Sequence, residues 1–213
     1  MTLKLVVLYR SAAELATGIV DGIRPDQLDD PTPCREWSVR VVINHLVSGN
    51  LFFVHLATGS PPPDRGADHL GDDPLTAFRN SVGAVSAAFD ADGFLDRAIT
   101  APFGEVRGRQ LVDMRRNELT VHGWDLATAT GQSTDFDVEL VAACFTSYAA
   151  SPALKDRASA PFDAEQPAPP GAPPPGACGA QAGSDGRRAP ADPRSVGACG
   201  PVAAGATRTA RAG

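Results

Sequence analysis

A chain of 213 residues can hold one large domain or two small ones. Its formal charge of −6 and the absence of any Lys/Arg run in the first 150 residues argue against nucleic-acid binding, which needs cations clustered on one face. The four cysteines (Cys34, Cys144, Cys178 and Cys199) form neither a CxxC pair nor a disulfide-dense pattern, so a reducing, cytoplasmic compartment is expected.

The short apolar run within Met1–Arg10 has no small-residue cleavage site after it and leads straight into helical pattern, so no secretory leader is read. No stretch reaches the eighteen or so apolar residues of a membrane span, and no membrane association is expected. Leu5, Leu8, Ala12, Leu15, Ile19 and Ile23 follow the three-four spacing of an amphipathic helix over residues 4–23. Pro25 and the Asp29–Pro33 cluster end it. Ser38 can cap a second helix, whose apolar face holds Val41, Val42, Leu46, Leu51, Phe52 and Leu56, with His45 on or beside that face. Gly59 and Pro61–Pro63 stop it, and a polar loop runs to Asp73.

Pro74 suits the first turn of a third helix, carrying Leu75, Phe78, Val82, Val85 and Phe89. Residues 94–108 are broken by Pro102, Gly104 and Gly108, with Ile99–Phe103 as a short extended piece. A fourth helix runs from about Arg109 to Thr130 and closes on Gly131. A short fifth helix fits Val138–Ala150. Four amphipathic helices with short to medium connections predict an all-α, antiparallel four-helix bundle over residues 1–162. Of the 51 residues from Asp163 to Gly213, 32 are Ala, Gly or Pro. That segment cannot bury enough apolar area to offset its ordering entropy, so 163–213 reads as a disordered tail.

Three side chains stand out as metal ligands. Glu118 and His122 are four apart and so lie one turn above each other on a helix. Leu111, Met114 and Asp125 fall on the same strip, and the apolar members turn Glu118 inward. A buried carboxylate needs a metal, a cation or a proton beside it. His45, from the second helix, would complete a His/Glu/His set, which suits zinc with an open coordination position. The competing readings are a hydrogen-bonded bundle histidine for His45 and a surface pair for Glu118 and His122. His55 lies ten residues past His45, some 80° off its face, and His69 falls in the polar loop; neither fits the set. Cys34 reads as structural at the start of the second helix rather than as a reactive thiol. Trp37 and Trp124 read as core or pocket walls, and Cys144 as packing. Asp125 is either an acceptor that orients a ligand histidine or an exposed carboxylate.

Pro31-Thr32-Pro33-Cys34-x-x-Trp37-Ser38-Val39-Arg40 with Asn44-His45-Leu46 resembles the N-terminal metal-binding domain of mycothiol-dependent maleylpyruvate isomerase, a DinB-like helical bundle family. Glu118-x-x-x-His122-Gly123-Trp124-Asp125-Leu126-Ala127-x-Ala129-Thr130-Gly131 resembles the second signature of that family, and Ala101–Glu105 the piece between. The resemblance, over about residues 10–165, implies a divalent metal, usually zinc, on His45, Glu118 and His122. It further implies mycothiol as thiol cofactor, an actinobacterial source and, as often in DinB-like proteins, a homodimer. The isomerase itself also has a C-terminal domain that helps form its active site. Nothing in 163–213 reads as one; Pro161–Pro174 resembles the family's approach to a final leucine-rich helix, but that helix is missing and patternless sequence takes its place, as a frameshift would produce. Smaller relatives that end after the bundle are mostly known just as metal-binding proteins.

The expected chemistry is activation of a thiol at the metal, for S-transfer to an electrophile or isomerisation of a cis-alkene, with a small-molecule thiol and an electrophile as partners. A non-catalytic metal-binding module is the other reading. Catalysis would require polar groups at the pocket mouth, for which Arg115 and Arg116 are candidates if they are not plain surface charges.

Overall fold

Capping chemistry sets the helix ends. Residues 2–34 and 36–150 are described in the structure, a computed structural model. They form five helices, α1 (Thr2–Asp21), α2 (Val39–Thr58), α3 (Pro74–Phe89), α4 (Gly108–Thr130) and α5 (Val138–Ala150), and a hairpin of β1 (Ala98–Ala101) and β2 (Gly104–Arg107). Ser38 Oγ accepts from Val41 N at the start of α2, and Asp73 accepts from Thr76 N ahead of Pro74. Gly59 (φ 73°) and Gly131 (φ 71°) end α2 and α4 in the left-handed conformation that glycine adopts without strain. The extended piece expected at 99–103 is half of an antiparallel pair, in which Ile99 faces Val106. Its second strand, Gly104–Arg107, carries too little alternation to stand out in the sequence. The expected boundary at residue 162 and the tail 163–213 lie outside the described residues.

The helix directions correct the expected all-antiparallel order. α1 and α3 run oppositely, tied by Tyr9 Oη–Ser86 Oγ (2.9 Å) and by the ion pairs Arg10–Asp90 and Arg79–Asp21. α2 and α4 also run oppositely. α2 and α3, however, run the same way: Asn50 Nδ2 donates to Ser81 Oγ at 2.9 Å, and further along Phe53 meets Phe89 edge-on. α1 and α4 end together, where Gln132 Nε2 donates to Ile19 O (2.9 Å) and Gln27 Nε2 to Thr130 O (3.1 Å).

Two same-direction neighbours need a connection that returns the length of the first, about 30 Å for twenty residues. Residues 59–73 make that return, since extended chain covers about 3.3 Å per residue. Polar groups of α2 fasten the loop on its way back. Asn44 Nδ2 donates to Ala67 O (3.0 Å), and Asn44 Oδ1 accepts from His69 N (2.8 Å). Arg40 donates to Asp68 Oδ2 (2.7 Å) and to Gly71 O (3.0 Å).

The core is one apolar cluster containing Ala12, Ala16, Val42, Ile43, Leu46, Phe78, Val85, Leu111, Leu119, Leu126 and Leu140. Among the described residues, α2 has the length and apolarity to cross a membrane, against the sequence reading. Half of that stretch is buried inside the protein, as befits a helix packed between α3 and α4. The hairpin meets α4 at Gly108, where an added Cβ would lie 2.0 Å from the carbonyl oxygen of Phe94. Gly108 N donates to Arg97 O (3.0 Å), so the backbone cannot retreat without losing that bond. Gly108→Ala is expected to lower stability by about 1–3 kcal/mol, read as a lower urea midpoint with an unchanged slope.

Candidate metal centre

α2 and α4 present their polar residues to each other. His45 comes from the second turn of α2, and Glu118 and His122 from successive turns of α4. Glu118 Oε2 lies 3.1 Å from His45 Nε2 and 3.7 Å from His122 Nε2. One donor atom from each of the three residues falls within 4.8 Å of the others. Donors at about 2.0–2.2 Å from a tetrahedral zinc lie roughly 3.3–3.6 Å apart, a range that the two contacts to Glu118, 3.1 and 3.7 Å, bracket. The rings of His45 and His122 are 4.9 Å apart and nearly perpendicular. Trp37 closes one side, its ring 4.8 Å from His45 and 5.9 Å from His122.

A second set of contacts orients His122. Its Nδ1 donates to Asp125 Oδ2 at 3.0 Å, which leaves Nε2, the atom facing Glu118, as the lone-pair nitrogen. Cys34 Sγ lies 3.3 Å from the same Asp125 oxygen. Cys34, His122 and Asp125 are all buried and form a second cluster of ligand-type groups. Asp125 is therefore an orienting group and not an exposed acid.

The electrostatics favour a ligating state. Burial pulls His45 below its ordinary 6.5, against the opposing bond to Glu118, so its imidazole is neutral near pH 7. Burial alone would raise Glu118, but the His45 bond, the two histidines and Arg115 together hold it well below 4.5. It is a carboxylate throughout the physiological range.

The helix strip behaves differently from expectation at one point. Met114 is 37% exposed, so the strip leaves the core there, and the side chain of Glu118 keeps 26% exposure. The site is thus open on one side. Arg115 and Arg116 are neither mouth residues nor surface charges, being 1% and 3% exposed. Arg116 pairs with Asp113 (2.7 Å) and donates to Ala143 O (3.1 Å), fastening α5 to α4. His55 and His69 stay out of the site, each bonded to a loop carbonyl, Ser60 O and Asp64 O respectively. The place of two neighbours escapes sequence reasoning. Cys34 reaches Asp125 across 91 residues, and Tyr148 on α5 has its phenol raised by burial and then by the charge of Glu118. No local spacing signals either.

The family profile described as "Mycothiol maleylpyruvate isomerase N-terminal domain" matches residues 9–127, more than half of the chain. This chain belongs to that family. Two uncharacterized proteins from two strains of Mycobacterium tuberculosis are 34% identical to it over 135 residues, 63% of this chain and 72% of theirs. Among solved structures, mycothiol-dependent maleylpyruvate isomerase shares the fold with a TM-score of 0.56, at 14% identity over 70% of this chain and 68% of that one. A mutant of the same enzyme gives 0.59 with the same identity and coverage. In this member of the isomerase N-terminal domain family, both motifs that carry the resemblance converge at one place. Cys34, Trp37 and His45 come from the first, and Glu118, His122 and Asp125 from the second.

Both shifted groups act on stability in the same direction. Unfolded His45 takes a proton below pH 6.5 that the folded state resists, and unfolded Glu118 does so below 4.5. The unfolded chain binds more protons in each window, so stability falls with falling pH. The metal-free protein is expected to show a falling urea midpoint from pH 7.5 to 5.5 and again below 4.5. His45→Gln should remove the first fall, and a flat profile in the wild type would contradict the assignment.

Proposed function

We propose that the chain binds one divalent metal, zinc by the chemistry of its donors, through His45, Glu118 and His122, and uses it to activate mycothiol or a similar small thiol. The observation that carries this reading is the convergence of two imidazole nitrogens on one carboxylate oxygen, at 3.1 and 3.7 Å. Two neutral imidazoles and one carboxylate form a catalytic zinc set that leaves a position open. When bound, the cation stabilises a thiolate and so supplies the nucleophile at neutral pH.

The protein's own residues do the rest. Asp125 holds His122 with Nε2 toward the site, and Trp37 shields one side of both rings. The exposed edge of Glu118 leaves the approach for thiol and electrophile. Attack on an epoxide, halide or activated ring gives S-conjugation. Addition to a cis-alkene, rotation and elimination give isomerisation. Family membership favours mycothiol as the thiol, because the solved structures that share the fold are of a mycothiol-dependent isomerase. The pairing of α1 to α4 supports a DinB-like bundle, and a cytoplasmic location follows from a reducing-compartment thiol. A homodimer accompanies this reading.

A second reading is a metal-binding module without catalysis. The two differ in whether a bound thiol reacts. Elemental analysis of purified wild type is expected to give about one zinc per chain, lost in His122→Ala. Alkylation of mycothiol by a model electrophile should then be faster with wild type than with His122→Ala. Metal without acceleration across an electrophile series favours the module. A folded wild type that takes up neither zinc nor nickel removes both readings.

A further inference from the structure

Arg115 is the largest fully buried side chain described in the protein, and no step of the proposed chemistry uses it. Its Nη2 donates to the carbonyl of Leu46, next to His45, at 3.2 Å, while its Nε has no partner. The guanidinium lies 5.9 Å over the Phe53 ring. It rests on α2 at Gly49, where an added Cβ would be 2.6 Å from Nη1. Glu118 follows three residues later, one turn along α4.

This seat works against fold stability. A glycine inside a helix costs about 1 kcal/mol relative to alanine, and a buried, under-bonded cation is often replaced by apolar side chains at no loss. Burial pulls Arg115 down to about 10, opposed chiefly by the charge of Glu118, so it remains a cation at neutral pH. Ser48 Oγ and Asn50 Oδ1, either side of Gly49, are buried without hydrogen-bond partners. Local rules broken together in this way mark a functional place more often than a structural one.

We propose that Arg115 is a positioning charge that makes the metal-loaded site take an anion, a thiolate, in preference to a neutral donor at its open position. The proposal rests on the metal reading above. Its electrostatics are simple. Glu118 contributes −1 and a divalent ion +2, and Arg115, buried one turn from Glu118 on α4, adds a further positive charge. A thiol loses its S–H proton to buffer as its sulfur binds, and the fixed positive field favours the resulting anion. A neutral ligand feels almost none of this. The same charge opposes the metal itself, so its removal should leave metal affinity equal or tighter.

The test loads wild type, Arg115→Met, Arg115→Lys and Gly49→Ala with cobalt(II) and titrates each with azide, 2-mercaptoethanol and imidazole, following visible absorption. Arg115→Met is expected to bind azide and 2-mercaptoethanol about tenfold more weakly, the effect of one unit charge across a partly screened site. Its imidazole affinity should stay within twofold, and Arg115→Lys should keep azide within threefold. Gly49→Ala, which keeps the charge but displaces it, should weaken azide about threefold. Unchanged azide affinity in cobalt-loaded Arg115→Met overturns the proposal and leaves the metal reading standing. Equal losses for azide and imidazole also overturn it, as a structural disturbance. If Arg115→Met does not fold, Gly49→Ala decides, and unchanged azide affinity there is fatal. A wild type that binds no cobalt overturns this proposal and the metal reading together.

Discussion

The charge of Glu118 is the constraint around which the two central helices are arranged. A carboxylate set between packed helices must be compensated, because desolvation without a partner costs several kcal/mol. Here the compensation comes from both sides, with His45 across the interface at 3.1 Å and His122 one turn along at 3.7 Å. Arg115 lies one turn the other way, sealed in the core. Each of these neighbours has its own requirement in turn. His122 needs Asp125 to fix its tautomer, His45 packs against Trp37, and Arg115 needs a glycine opposite. The polar residues of α2 and α4 thus form one dependent set, in place of the apolar seam that would make a more stable helix pair.

α2 also carries the crossover. Asn44 and Arg40 hold residues 67–71 along the first turns of the helix, beside His45. A loop that must return past α2 therefore runs next to the candidate site for reasons of topology alone. Because Asn44 uses both ends of its amide on the loop, the loop's position is tied to the helix turn that bears His45. Arg65, from the same loop, stacks over Phe52 two turns further along. Motion of the loop would be felt at the site through those contacts.

Much of this was legible in the sequence where the governing interaction is local. The i, i+4 spacing of Glu118 and His122, the Ser38 and Asp73 caps, Pro74, and the glycines after α2 and α4 each act within a turn or two. The extent of α2, the start of α3 and the end of α4 follow from them. Helix direction was not legible, because a fifteen-residue polar loop permits either a short turn or a full return, and only packing chooses. The burial of Arg115 and Arg116 was hidden for a related reason. A charged residue in a helix reads as surface unless the facing element is known, and the clearance for Arg115 is a missing Cβ at Gly49 on another helix. Cys34 and Tyr148 reach the site from far along the chain, and spacing carries no information at that range.

The Arg115 seat bears on how far the family's chemistry extends to this chain. A module that merely stores a metal gains nothing from a buried cation beside the ligands, since that charge repels the ion it holds. It gains something only if the bound state must accept a further negative charge. In that case the cation offsets the anion's loss of hydration, much as a preorganised dipole does at a developing charge. Fold stability would be served by an apolar residue at 115 and alanine at 49. The pairing of arginine with glycine sacrifices stability one turn from Glu118, where a positive field would serve anion binding, and this favours the catalytic reading over the storage one.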